Sequence, residues 1–266
     1  MKTSIDASTA LNRAAQLWYL VTAAGMWLFV YYIVAFYYGP TLSGDFEAWD
    51  AQHMLTHGYL PGDTAGNLMF AAHVLLAAVL TLGGTIQLVP QLRRNALVLH
   101  RWNGRVFMVT ALLTAIGGLG LNLLRGVNED GSGWPSAIDF SGLLILIFAT
   151  MAWLFARRGR IAAHRQWALR TFLVVSGVWF LRLGVSIWIL GTATLYGEPR
   201  FVGEFFEGWK WGSFLFPLAV LELYLWTQRS GTARAGYLVA ALLVTLTFLT
   251  AVGVFGAYKL FWQPLL

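Results

Sequence analysis

Long unbroken apolar runs alternate along the chain with short polar connections. A helix crossing a hydrocarbon core roughly 30 Å thick needs about 20 apolar residues. The runs at 15–38, 67–90, 104–124, 137–157, 167–190, 211–227 and 235–259 meet or approach that length. The pattern therefore predicts an all-α membrane protein: one integral-membrane domain over residues 1–266 with seven transmembrane helices. The first run is too long for a signal-peptide core and ends in Tyr37-Tyr38 rather than at a small-residue cleavage site, so it is expected to remain as an anchor.

The connections carry the topology. Arg93, Arg94, Arg101 and Arg105 lie between the second and third runs, Arg157, Arg158, Arg160, Arg165 and Arg170 flank the fourth-to-fifth connection, and Arg229 and Arg234 separate the last two. Basic connections stay in the cytoplasm. The alternate ones, with Asp45, Glu47, Asp50 and Asp63, then Glu129 and Asp130, then Glu198, Glu204 and Glu207, are acidic or mixed and should face outward. This puts the N-terminus in the cytoplasm. The segment from Gly39 to Gly66 is too polar to span but holds Phe46, Trp49, Met54, Leu55 and Tyr59, which predicts a short interfacial helix stopped by Pro61-Gly62. The stretch from Pro199 to Lys210 has the same character.

Composition agrees. Hydrophobic residues make up 58% of the chain, charged residues 11%, and mean hydropathy is +0.63, far from the roughly 25% charged residues of soluble domains. Trp18, Tyr19, Trp49, Trp102, Trp134, Trp209, Trp211 and Trp262 fall near helix ends, where rings with a polar tip settle at headgroup level. The absence of cysteine excludes disulfides, thiolate metal sites and thiol catalysis. The net charge of +6 does not point to nucleic acid, because the cations cluster in short connections and not along one soluble face. The lipid bilayer is the expected partner.

An internal echo follows from the basic connections. His100-Arg101 opens the third helix and His164-Arg165 the fifth, each followed by a further arginine, Arg105 and Arg170. Helices two with three and four with five thus read as related pairs, which predicts a four-helix core from helices 2–5.

Two imidazoles at matched depth on different helices are what a b-type haem needs for its axial positions. Against this, His100 and His164 could simply cap helices or meet lipid phosphate beside Arg101, Arg105, Arg165 and Arg170, and spacing alone favours that plainer role. His73 lies about two turns into the second helix, on one face with Gly84 and Gln87. Arg182 and Glu222 sit inside apolar runs, where a charge near the bilayer centre costs at least roughly 2.5 to 3.5 kcal/mol unless it meets protein, water or a partner. His73, Arg182 and Glu222, with Asp139 near the outer end of the fourth helix, are the candidate intramembrane polar site, as a structural bridge or as a ligand or proton site. His53 and His57, four apart beside Asp50, have a spacing that suits a zinc or copper ion, although a solvated loop is the simpler explanation. Thr110, Thr114, Gly117, Gly118 and Gly120 form a small-residue stripe read as helix packing. A retinal protein is excluded, since the last helix has only Lys259, at its outer end, and the third helix has no carboxylate.

The run Leu99-His100-Arg101-Trp102-Asn103-Gly104-Arg105-Val106-Phe107, then His164-Arg165-Gln166-Trp167-Ala168-Leu169-Arg170-Thr171-Phe172, then Arg182, resembles the paired signature of a bacterial membrane family, domain of unknown function 2306. The resemblance covers about 67–190 and includes His73 ahead of Gln87. Asn103 and Ala168 depart from the family pattern, which commonly has an apolar residue and methionine there. It implies a multi-helix core marked by His73, His100, His164 and Arg182, in the bacterial inner membrane, and supplies no activity.

The leading expectation is a redox protein in which His100 and His164 hold haem b, arginines 101, 105, 165 and 170 pair with its propionates, and His73, Arg182 and Glu222 form a quinone or proton site. The rivals are an accessory or assembly subunit of a larger membrane complex, and a transporter or lipid-binding protein.

Overall fold

The computed structural model describes residues 6–52, 58–125, 136–197 and 203–265. The described chain is helical, with no strand. Ten α-helices are described: α1 (Ala7–Ile33), α2 (Gly39–Ser43), α3 (Thr64–Gln87), α4 (Pro90–Asn95), α5 (Leu97–Arg125), α6 (Ala137–Arg157), α7 (Ile161–Val175), α8 (Gly177–Tyr196), α9 (Gly203–Ser230) and α10 (Ala233–Ala257). A π-helical turn, Val34–Tyr38, joins α1 to α2, and another, Tyr258–Trp262, extends α10.

Among the described residues six helical stretches are long and apolar enough to cross a membrane: Ala7–Ser43, Thr64–Gln87, Leu97–Leu124, Ala137–Arg157, Gly177–Tyr196 and Ala233–Trp262. The run expected at 211–227 lies within α9, whose 28 residues are long enough but include Pro217 and Glu222. The run expected at 167–190 is not one helix. It straddles α7 and α8, which meet at Ser176. Many large apolar side chains point outward, among them Val98 (70% exposed), Leu123 (84%) and Phe248 (68%), as a surface facing acyl chains requires.

The backbone gathers into two compact units. Unit 1 comprises Met1–Met26 and Val178–Leu260. Its α1 portion buries Leu11 and Ala14 against Val239, Ala240 and Leu243 of α10, with Val220 and Tyr224 of α9 packed alongside. Glycines set the spacing of α10 against α8: a Cβ on Gly253 would lie 2.9 Å from Leu183, and one on Gly256 would lie 2.9 Å from Ser186. Such close approach suits helices in lipid, where van der Waals contact carries association. Asp6 opens α1 by accepting from the Ser8 and Thr9 backbone N–H groups and both hydroxyls, which holds its carboxyl well below the ordinary carboxylate range.

Unit 2 comprises Trp27–Gly177 and Phe261–Leu266. Here α3 packs along α5, α5 along α6 and α6 along α7. Gly84 of α3 closes the bundle, since a Cβ there would lie 2.9 Å from Phe107 of α5 and 3.0 Å from Phe172 of α7. The four-helix core expected from the second to fifth runs is therefore built from α3, α5, α6 and α7. The connection after α2 forms a 3-10 turn, Phe46–Gln52, with Trp49 buried against Phe70 of α3.

Two of the tryptophans near helix ends are covered by protein. Trp49 is 3% exposed and Trp262 is fully buried, stacked near Phe29 and Tyr32. Trp102 does stand outward at 60% exposure.

Candidate functional site

The site grows from two helical hairpins of unit 2. In the first, α3 ends at Gln87, α4 makes one basic turn with Arg93 and Arg94, and α5 begins at Leu97. His100 therefore lies in the first turn of a helix, where its side chain leans back toward the preceding one. In the second, α6 ends at Arg157, Gly159 turns the chain with φ +68°, a conformation suited to glycine, and α7 begins at Ile161. His164 again falls in the first turn. The sequence echo thus has a geometric counterpart: each histidine reaches back onto the first long helix of its hairpin, His100 to Gln87 of α3 and His164 to Ala152 of α6.

The partners differ. His164 Nδ1 donates to the Ala152 carbonyl over 2.9 Å. In a neutral ring that bond puts the proton on Nδ1 and the lone pair on Nε2, the arrangement found when a histidine binds a metal through Nε2. His100 is held by side chains. Asn103 Nδ2 donates to the Gly83 carbonyl and to Gln87 Oε1, both at 2.8 Å, and Gln87 Nε2 donates to His100 Nε2 at 3.2 Å. Since a backbone carbonyl can only accept, Asn103 must present its NH2 there, so Gln87 presents its oxygen to Asn103 and its NH2 to the imidazole. His100 Nε2 is thereby the acceptor and Nδ1 carries the proton. Nδ1 is enclosed with no hydrogen-bond partner, a cost of about 1–3 kcal/mol. A Cβ on Gly104 would lie 2.7 Å from Gln87 Nε2, so this glycine makes room for the amide.

Arg93, Arg101 and His164 are all within electrostatic reach of His100. The arginines mirror each other as well. Arg105 lies over the Trp102 ring at 4.7 Å, and Arg170 over Trp167 at 4.8 Å, both pairs three residues apart on their helices. Arg101, Arg105 and Arg165 are exposed and Arg170 is half-buried. Arg93, Arg94, Arg157, Arg158 and Arg160, all exposed, complete a cationic rim on the connections beside the histidines.

His73 is elsewhere. Its Nδ1 donates to the Thr114 carbonyl at 3.1 Å, and its ring seats on Gly118, where a Cβ would lie 3.2 Å from Cε1. The glycine stripe of α5, read from sequence as packing, makes the space for this imidazole. Thr114 is fourteen residues along α5 from His100, about 21 Å at roughly 1.5 Å per residue. His73 does not join the His100–His164 pair.

Asp139 has a structural task. It accepts from the Ser136 N–H and hydroxyl at 3.1 and 2.9 Å in a capping box opening α6, and from Asn122 Nδ2 of α5 at 2.6 Å. Arg182 of α8 and Glu222 of α9 are both half-buried in unit 1, and Arg182 Nη1 donates to the Val178 carbonyl at 3.3 Å. His53 and His57 lie outside the described residues. Among the described residues no group of three or more metal-binding side chains is gathered.

The family described as Predicted membrane protein (DUF2306) matches residues 70–225. The chain belongs to the DUF2306 family. The match holds the α6–α7 hairpin and the α3–α5 hairpin from residue 70 onward, and it extends past the expected boundary at 190 to take in all of α8 and most of α9. His73, His100, His164, Arg182 and Glu222 are all inside it. No curated protein and no solved structure matches the chain. What DUF2306 membership establishes is a multi-spanning membrane protein.

Sequence reasoning misses the partners of His100. It places Gln87 on the His73 stripe and treats Asn103 only as a departure from the family pattern. The available signal is Asn103 three residues after His100, on the same helical face.

Proposed function

We propose that this DUF2306 protein is a redox protein of the bacterial inner membrane, with its N-terminus and arginine-rich connections in the cytoplasm, and that it binds haem b at the His100–His164 end of unit 2. The observation that carries this reading is the carbonyl-anchored His164, whose Ala152 bond engages Nδ1 and leaves Nε2 to a ligand, at the same end of unit 2 as the His100 imidazole. His164 would hold the iron through Nε2 as it stands. His100 would do so once its Nε2 is released by Gln87. Bound haem would supply one-electron chemistry. Arg101, Arg105, Arg165 and Arg170 would hold its carboxylates, for which guanidinium forks are matched. His73, its Nδ1–H committed to Thr114, keeps Nε2 as an acceptor and suits the hydroxyl of a quinol about 21 Å away along the bundle. Arg182 and Glu222 remain candidates for a proton path within unit 1.

The test is an absorbance spectrum of detergent-purified protein after haem-supplemented expression. A Soret band that sharpens on reduction with dithionite is expected. Its absence from well-folded protein would overturn the haem reading in favour of an accessory subunit or a transporter.

A further inference from the structure

The two imidazoles are not equivalent toward a ligand. His164 offers Nε2 from a ring tied to backbone, whereas His100 offers Nε2 to the Gln87 amide, which Asn103 holds in turn. The chain from the Gly83 carbonyl through Asn103 and Gln87 to His100 has one consistent direction. Reversing it would set the Asn103 oxygen against the Gly83 oxygen across 2.8 Å, two acceptors with no proton between them. Gly104 opens the pocket in which the Gln87 amide sits.

We propose that Gln87 is a displaceable gate on His100, with Asn103 as the positioning residue that keeps the gate shut. This deepens the haem reading and rests on it. His164 alone would then hold haem iron at this end, through its Nε2. His100 would offer its Nε2 to the same group only when the Gln87 amide moves off it. A site so arranged can take an exogenous ligand such as oxygen, carbon monoxide or nitric oxide at the position that His100 would otherwise close. The device is made by side chains on α3 and α5, so it can be altered without touching either histidine.

Two measurements separate the gate from the haem reading. Nitrogen NMR of 15N-histidine-labelled protein, without haem, reports which ring nitrogen carries the proton. His100 should show the proton on Nδ1 in the wild type, and Gln87→Glu, which offers only acceptors, should move it onto Nε2. A wild-type His100 protonated on Nε2 overturns the gate whatever the haem result. With haem loaded, the wild type should give a high-spin, five-coordinate spectrum that binds carbon monoxide readily. Gln87→Leu and Asn103→Leu should shift it to low-spin, six-coordinate, with carbon monoxide binding slowed at least tenfold. A wild type already low-spin, or a Gln87→Leu protein identical to it in spin state, overturns the gate while sparing the haem reading. Haem absent from every variant overturns both. Thermal midpoints of the variants, followed in the same detergent, show whether each has folded, and Gln87→Met serves as a second amide-free substitution if the leucine variant has not.

Discussion

The hairpins α3–α5 and α6–α7 carry the same elements in the same order, a helix, a basic turn, a histidine in the next first turn and an arginine stacked on a tryptophan, yet they hold their histidines by different means. His164 leans on a main-chain carbonyl, which no substitution of Ala152 removes. His100 leans on Gln87 and Asn103. A ring tied to backbone has a permanent orientation, whereas one tied through two amides has an orientation that mutation or a competing ligand can change. The contrast teaches that two histidines matched in helix position and sequence can be held in ways that differ in how readily they are released.

The largest expected effect lies where the hairpins touch. Gly84→Leu would drive a side chain between Phe107 and Phe172, and overpacking of this kind costs about 1–3 kcal/mol or more, so the thermal midpoint in detergent should fall sharply. Gly117, where an added Cβ meets nothing within 4 Å, is its control: Gly117→Ala should hold or raise the midpoint, alanine being favoured over glycine in helices by about 1 kcal/mol. If both substitutions fall alike, the closure of the two hairpins through Gly84 is misplaced.

A smaller effect is expected from Asp139→Ala, which removes the capping box of α6 and the bond to Asn122 that joins the two hairpins. Loss of a cap costs about 0.5–2 kcal/mol, readable as faster protease cleavage near residue 136 or a lower midpoint. Retention of wild-type resistance would mean that the capping box does not hold the start of α6.

The arginine mirror sets a third, finer comparison. Arg105→Ala and Arg170→Ala each remove one cation–π contact worth about 0.5–1 kcal/mol, and the two midpoints should drop by similar amounts. Any haem-retention loss should be no greater in one than in the other. A pronounced inequality would break the symmetry between the hairpins.

The smallest effect falls outside them, in unit 1. The Asp6 carboxyl is held low by the hydrogen bonds that cap α1, so its contribution is present at neutral pH and is lost as acid protonates it, below the ordinary carboxylate range. Asp6→Ala should remove that acid-side dependence and leave the pH profile above neutrality unchanged. A variant that follows the wild-type acid profile would show that the cap contributes nothing.

Much of this architecture is legible without coordinates because a hydrocarbon solvent leaves few options. Long apolar runs must be helices, and the paired His-Arg openings do mark two related hairpins. Helix limits are less legible. Counting apolar residues starts the third run at 104, whereas the backbone is helical from Leu97 through His100 and Arg101, because polar residues at a membrane rim continue a helix as readily as apolar ones. The break at Ser176 is hidden for the opposite reason, lying inside a stretch apolar enough to read as continuous. The partners of His100 come from tertiary packing: Gln87 precedes it by thirteen residues across a turn, a distance that no periodicity links.

Haem retention in His164→Ala against His100→Ala, each purified with a wild-type-like thermal midpoint, tests the division between anchor and gated ligand most directly. The account predicts that His164→Ala loses its Soret band while His100→Ala keeps it, in five-coordinate form. Equal retention in the two, or loss confined to His100→Ala, would contradict it.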